Sequence, residues 1–163
     1  MSANNDLTIR RAVKSDIPTL GRLGEHLVLV HNRLDNKRFL PVMPQTSERY
    51  GAFLGTQLDR PDAVVFVAER ENAVVGYVYA GMEDYDYMAL RGPAGALYDI
   101  VVDPGCRKRG IGRRLLEAAL DWLRAQQAPR VVLSTAEGNA EAQRLFASAG
   151  FRRTMIEMTR ELP

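Results

Sequence analysis

The stretch from Ala96 to Ser134 constrains the fold of this chain more than any other. Ala96-Leu-Tyr-Asp-Ile-Val-Val is apolar and β-branched at its end, and it reads as a strand that closes at Asp103-Pro104-Gly105. From Ile111 the residues Leu115, Ala119, Trp122 and Leu123 recur at helical spacing, with Leu116 and Leu120 widening the stripe. An amphipathic helix is therefore expected to about Gln126, and Pro129 stops it. Val131 to Ser134 follows as a buried strand. Strand, helix and strand joined this closely require a parallel pair, since the helix is the crossover.

The first half supplies antiparallel pairing. Val64 to Glu69 and Val74 to Ala80 are β-branched and aromatic runs separated by Arg70-Glu71-Asn72-Ala73, a connection of hairpin length. The expected class is thus α/β (α+β), a mixed, mostly antiparallel sheet with helices on both faces. Leu7 to Arg11 reads as a short strand. Ser15 and Asp16 are candidates to cap a helix that carries Pro18 in its first turn and the stripe Ile17, Leu20, Leu23, Leu27 and Val30. Pro41 and Pro44 break the chain, and Ser47 to Leu58 is a second helix candidate. Gly81 to Gly95 reads as a polar, flexible connection. Ala142, Leu145, Phe146 and Ala149 mark a last helix ended by Gly150, and Phe151 to Thr159 is predicted as a final strand.

Composition sets outer limits. The 163 residues, 46% hydrophobic and 26% charged, match an ordinary globular chain, and residues 1–163 are expected to form one domain. No apolar run approaches the ~20 residues that span a bilayer, and Met-Ser-Ala-Asn-Asn-Asp has no secretion-signal character, so a cytoplasmic protein without a membrane partner is expected. Cys106 is the only cysteine, which excludes an internal disulfide. His26 and His31, five apart, fall on different faces of any helix, so no metal site is expected. The formal charge of +2 is small, and no aromatic residue interleaves the basic cluster at Arg107 to Arg114, so nucleic acid is not an expected partner.

That cluster, Asp103-Pro-Gly-Cys-Arg-Lys-Arg-Gly-Ile-Gly-Arg-Arg, lies where a strand turns into a helix and main-chain N–H groups lack intrahelical acceptors. Gly110 and Gly112 permit close backbone approach, and Arg107, Lys108, Arg109, Arg113 and Arg114 add positive charge to the helix start. A diphosphate suits this environment. Spacing excludes two phosphate loops: Ile111-Gly112 follow Gly110 where a nucleoside-triphosphate loop needs Lys and Ser or Thr, and a dinucleotide fingerprint would need its third glycine at Leu115.

Arg107-Lys108-Arg109-Gly110-Ile111-Gly112 after Val-Val-Asp-Pro resembles the acetyl-coenzyme A loop of the GNAT N-acetyltransferase superfamily. Asn139, Ala142, Leu145-Phe146 and Gly150-Phe151 resemble the family's later helix and turn, in the family's order, so the resemblance covers roughly residues 96 to 158. It implies a GNAT-like sheet, acetyl-CoA as cofactor, and transfer of acetyl to an amine in a ternary complex. It also implies that loop amides from Arg107 to Arg113 hold the diphosphate, that the backbone of Ile100, Val101 and Val102 borders the pantetheine arm, and that Asn139 stands near that arm. Asn139 is equally suited to cap the helix that follows.

An alkyl ammonium with a pKa near ~10.4 must lose a proton before it attacks. Asp99, which interrupts its apolar strand, matches the position where many family members carry a catalytic or water-ordering carboxylate and is the candidate base. By strand alternation Tyr98 is expected on the opposite face, in the core. The family often has a tyrosine acid where this chain has Phe146, which leaves Tyr85, Tyr87, Ser134 or water as proton donors. Glu83, Asp84, Tyr85 and Asp86 precede the strand and are candidates to attract a cationic acceptor, favouring a small amine. Protein N-terminal or lysine acetylation is the alternative enzymatic reading, and a non-catalytic acyl-CoA sensor the other. Dimers are common in the family, which leaves a homodimer open.

Overall fold

The computed structural model describes residues 7–163. Five strands lie in the order β1 (Leu7–Arg11), β2 (Ala63–Arg70), β3 (Ala73–Glu83), β4 (Ala94–Val102) and β5 (Val131–Leu133). The first three pairings are antiparallel and β4 with β5 is parallel, as the crossover requires. The helices are α1 (Ile17–Leu34), α2 (Thr46–Gln57), α3 (Ile111–Ala125) and α4 (Ala140–Ser148). The β2–β3 hairpin turns on Glu71 and Asn72, both at positive φ (52° and 61°), the backbone a two-residue turn needs to match strand twist.

Each sheet face buries its own core. Val64, Val78, Ala80 and Leu97 pack with Ile111, Leu115, Leu116, Ala119 and Leu123 of α3 and with Phe146 of α4. On the other face Val65, Val67, Tyr77, Tyr79 and Val101 pack with Leu20, Leu23 and Leu54 of α1 and α2. These apolar stripes are the ones legible in the sequence, and burying a side chain of this kind stabilises the fold by about 1.5–3 kcal/mol.

Three expectations are corrected. Asp16 does not cap α1 with its side chain; its carboxylate accepts Arg10 Nη1 at 2.7 Å, Arg10 Nη2 at 3.1 Å and Val13 N–H at 2.8 Å, and ties β1 to the turn that follows it. Gly81 to Gly95 is largely ordered, because β3 runs on to Glu83 and Asp86 pairs with Arg91 in a two-residue bridge. Phe151 to Thr159 forms no strand: after Phe151 packs edge-to-face on Phe146, the segment runs exposed, with Met155, Ile156 and Met158 in solvent. Alternation selects which face a strand buries, but a strand also needs a partner for its backbone, and β5 pairs over only Val131 to Leu133.

Candidate active site

The site begins with a bulge. The β3–β4 register shifts so that Tyr79 faces Asp99 while Ala80 faces Leu97, which leaves Tyr98 as the extra residue. Tyr98 and Asp99 consequently share the α1/α2 face. Tyr98, expected in the core, is 41% exposed; its ring lies on Tyr79 at 4.7 Å and its hydroxyl donates to Glu83 Oε1 at 2.9 Å. The bulge also bends β4 away from β5. Their pairing stops at Leu97 with Leu133, and beyond it a cavity of about 390 Å³ opens between Asp99 and Ile100 on one side and Ser134 and Thr135 on the other.

At the far end of β4 the chain enters the basic loop. Lys108 (φ 61°) and Gly110 (φ 75°) are both left-handed, with Arg109 between them at negative φ, an alternation that turns successive N–H groups to one side. Gly110 is the N-cap of α3 and has no side chain to fill that role. Arg114 is the first α3 residue whose N–H reaches a main-chain acceptor, Gly110 O at 3.1 Å, so the amides ahead of it point outward unpaired. A Cβ on Gly112 would stand 3.6 Å from Leu145 and 3.8 Å from Val102, so a methyl group fits there and a bulky side chain must displace its neighbours beside the loop amides. Lys108 and Arg109 are exposed beside these amides. The remaining basic side chains are engaged. Arg107 donates to Val102 O at 3.3 Å and to His26 Nε2 at 3.1 Å, Arg113 to Glu117 and Ser148, and Arg114 to Leu7 O at 2.8 Å.

Asp99 sits at the fork. Its Oδ2 accepts two tyrosine hydroxyls, Tyr50 at 2.6 Å from α2 and Tyr77 at 3.0 Å from β3. Burial pushes its carboxyl above the ordinary carboxylate range, while the two hydroxyl donors oppose that shift. The tyrosines respond in kind: burial first, then the Asp99 charge, raises both phenols, so they stay protonated donors. Tyr50 reaches Asp99 because α1 has a glycine beneath it; a Cβ on Gly24 would lie 2.2 Å from the Tyr50 ring.

The cavity is closed by α4 and α1. Asn139 caps α4, its Oδ1 accepting Ala142 N–H at 3.2 Å, and also lines the cavity with Phe146. His31 and Arg38 line the opposite wall, Arg38 paired with Glu157. Glu83, Asp84, Tyr85 and Asp86 stand outside this cavity. Glu83 is paired with Arg91 and Tyr98, Asp84 accepts Tyr85 N–H at 2.7 Å, Asp86 accepts Met88 and Ala89 N–H at 2.9 and 3.0 Å, and Tyr85 stacks on Tyr87. Of the candidate proton donors, Ser134 lines the cavity and Tyr85 and Tyr87 do not.

The family model for the acetyltransferase (GNAT) family matches residues 32–151. The chain belongs to the GNAT acetyltransferase family. The mycothiol acetyltransferase of Thermobispora bispora is 38% identical over 97 residues, which are 57% of this chain and 31% of that protein. The chain thus spans about a third of the length of these curated relatives. Among solved structures, a Bacillus halodurans protein superposes with a TM-score of 0.77 at 22% identity, covering 96% of this chain and 98% of its own. A Clostridium acetobutylicum acetyltransferase, solved with acetyl-CoA, gives 0.71 at 16% identity, covering 94% and 96%. The fold of these structures is therefore shared over nearly the whole chain.

Within this GNAT frame, Tyr50, Tyr77 and His31 are the site residues that sequence reasoning missed. Tyr50 and Tyr77 lie 49 and 22 positions from Asp99, and no local pattern links them. His31 carries one usable signal: it follows Leu27 by one helical turn, on the stripe that faces the sheet.

Proposed function

We propose that this GNAT protein is an acetyl-CoA-dependent N-acetyltransferase acting on the primary amine of a small molecule by direct attack in a ternary complex. The observation that carries the reading is the fork: a parallel strand pair splayed by a bulge, with a buried carboxylate at its apex and unpaired helix-start amides at its end. The outward amides from Arg107 to Arg113 suit a diphosphate, and Lys108 and Arg109 add charge that no protein carboxylate neutralises among the described residues. The edge of Ile100, Val101 and Val102, which β5 does not pair and where Arg107 holds Val102 O, suits an extended, amide-bearing arm, with Asn139 lining the same cavity. Bound there, acetyl-CoA supplies an activated acyl carbon on a thiol that leaves readily.

This chain's residues then bind and deprotonate the acceptor. Among the described residues Asp99 is the one carboxylate lining the cavity, and its Oδ1 is free to meet an ammonium while Oδ2 stays on the two tyrosines. Its raised affinity for protons, a consequence of burial, suits a base that acts directly or through water. Glu83, Asp84, Tyr85 and Asp86 form an outer rim, joined to the cavity through Tyr98, that a long polycation reaches and a short amine does not need. The mycothiol acetyltransferase relatives and the aminoglycoside N-acetyltransferase fold neighbours favour a polyhydroxylated small-molecule amine over a protein terminus or lysine.

Free thiol release from acetyl-CoA over a panel of amines tests this directly. Release that depends on a small amine is the expected result. Tight CoA binding with no release for any amine or peptide would instead establish an acyl-CoA sensor.

A further inference from the structure

From the cavity it shares with Asp99, we infer that His31 is a catalytic residue: its Nε2 takes the proton that the acceptor ammonium gives up, while Asp99 holds that ammonium in place. This rests on the acetyltransferase reading above and names the proton's destination.

The imidazole is oriented from two directions. Its Nδ1 lies 2.8 Å from Leu27 O, one helical turn back, and the Phe39 ring meets it edge-to-face at 5.0 Å. A carbonyl only accepts, so Nδ1 carries a proton and Nε2 is the nitrogen that gains or loses one. The Phe39 segment is itself tied down, its carbonyl accepting Asn32 Nδ2 at 3.1 Å. Nε2 has no protein partner among the described residues, yet no buried side-chain nitrogen or oxygen is left unpaired, so this nitrogen is open to solvent. The ring lines the same cavity as Asp99. The other titratable groups that line this cavity are Tyr50 from α2, Tyr98 from β4 and Arg38 from the α1–α2 connection, beside the uncharged Ser134, Thr135 and Asn139; Arg38 is paired with Glu157 and both phenols stay protonated.

Two hydroxyl donors on Oδ2 fix the Asp99 carboxylate, which suits it to hold the ammonium at Oδ1 while the proton passes to a second group. The His31 imidazole, which lines the same cavity and has Nε2 unpartnered among the described residues, offers that second group. The step balances: an N–H bond of the ammonium breaks and an Nε2–H bond forms, giving imidazolium, which releases the proton to solvent. The freed amine lone pair forms the C–N bond as the thioester C–S bond breaks, the sulfur leaves with its electron pair, and the second amine proton ends on the thiol.

The test uses the whole chain, with His31→Asn and His31→Gly beside Asp99→Asn. His31→Asn is expected to lower kcat by about 10²-fold with little change in KM for the amine, and to abolish the rising limb of kcat with pH. Added imidazole is expected to restore part of the His31→Gly rate. Asp99→Asn is expected to raise KM for the amine as well. Nitrogen-15 spectra of the wild-type histidines should show His31 protonated at Nδ1 across the titration, with Nε2 titrating. Unchanged kcat in His31→Asn, loss of rate without imidazole rescue, or a proton on Nε2 alone in the neutral ring would each overturn the inference. If the wild type itself releases no thiol with any amine, the acetyltransferase reading fails, and the tautomer spectra still decide what Nε2 does.

Discussion

Asp99 and Asp16 are two enclosed carboxylates with opposite consequences. Asp16 receives Arg10 bidentately, and that guanidinium, aided by Val13 N–H and opposed by burial, holds its carboxyl below the ordinary range. A depressed carboxyl stabilises the fold fully above the unfolded value of about 3.9, and the contribution is lost as pH falls through the lower folded value. Asp16→Ala should therefore cost about 2–3 kcal/mol near neutrality and much less in acid, read from urea melts at several pH values. For Asp99 the sign reverses. Burial raises its carboxyl, so the folded state binds more protons than the unfolded chain, and stability declines as pH rises through the raised value. Asp99→Asn retains an acceptor for Tyr50 and Tyr77 and should raise the Tm at mildly alkaline pH while cutting kcat/KM by at least about 10²-fold. A lower Tm would mean that the charged carboxylate is a net stabiliser.

At the scale of elements, the two ends of β4 do different work, and each depends on a glycine. Gly24 lets α1 accept the Tyr50 ring, so Gly24→Ala should push Tyr50 off Asp99 and reduce kcat by about tenfold with the acetyl-CoA affinity unchanged. Calorimetry with CoA alongside steady-state rates separates the two effects. Gly110 at φ 75° has open space for a Cβ but the wrong backbone for one, so Gly110→Ala should cost about 1–2 kcal/mol and weaken CoA binding by reshaping the loop. The strand, basic loop and amphipathic helix around this junction were legible because each is a local pattern in contiguous residues, Ala96 to Gln126. The bulge was not. It shows only in the β3–β4 register, and it moved Tyr98 from the expected core to the face of Asp99. The final strand failed for the related reason that pairing is non-local: Phe151 to Thr159 carries apolar residues but pairs with no strand among the described residues.

For the whole molecule, the two cores fix where the fork opens. α3 and α4 hold one face of the sheet, α1 and α2 the other, and the cavity lies between the helix layers at the one place where neighbouring strands part. Among the described residues no helix is long and apolar enough to cross a membrane. A ligand that binds the folded state alone should raise its stability by about 2.7 kcal/mol at a hundredfold excess over Kd, so the Tm should climb with CoA concentration. Because Lys108 and Arg109 contribute through charge, that gain should shrink with added salt, while the main-chain amides preserve part of it. The claim on which all of this depends is that the amides between Arg107 and Arg113 are the seat of the cofactor's diphosphate. Backbone nitrogen-15 spectra recorded during a CoA titration test it most directly. Saturable shifts concentrated at Lys108 to Arg113, and absent in Gly112→Trp under the same conditions, are the predicted result. Shifts confined to other parts of the chain, or an unchanged response in Gly112→Trp, would contradict it.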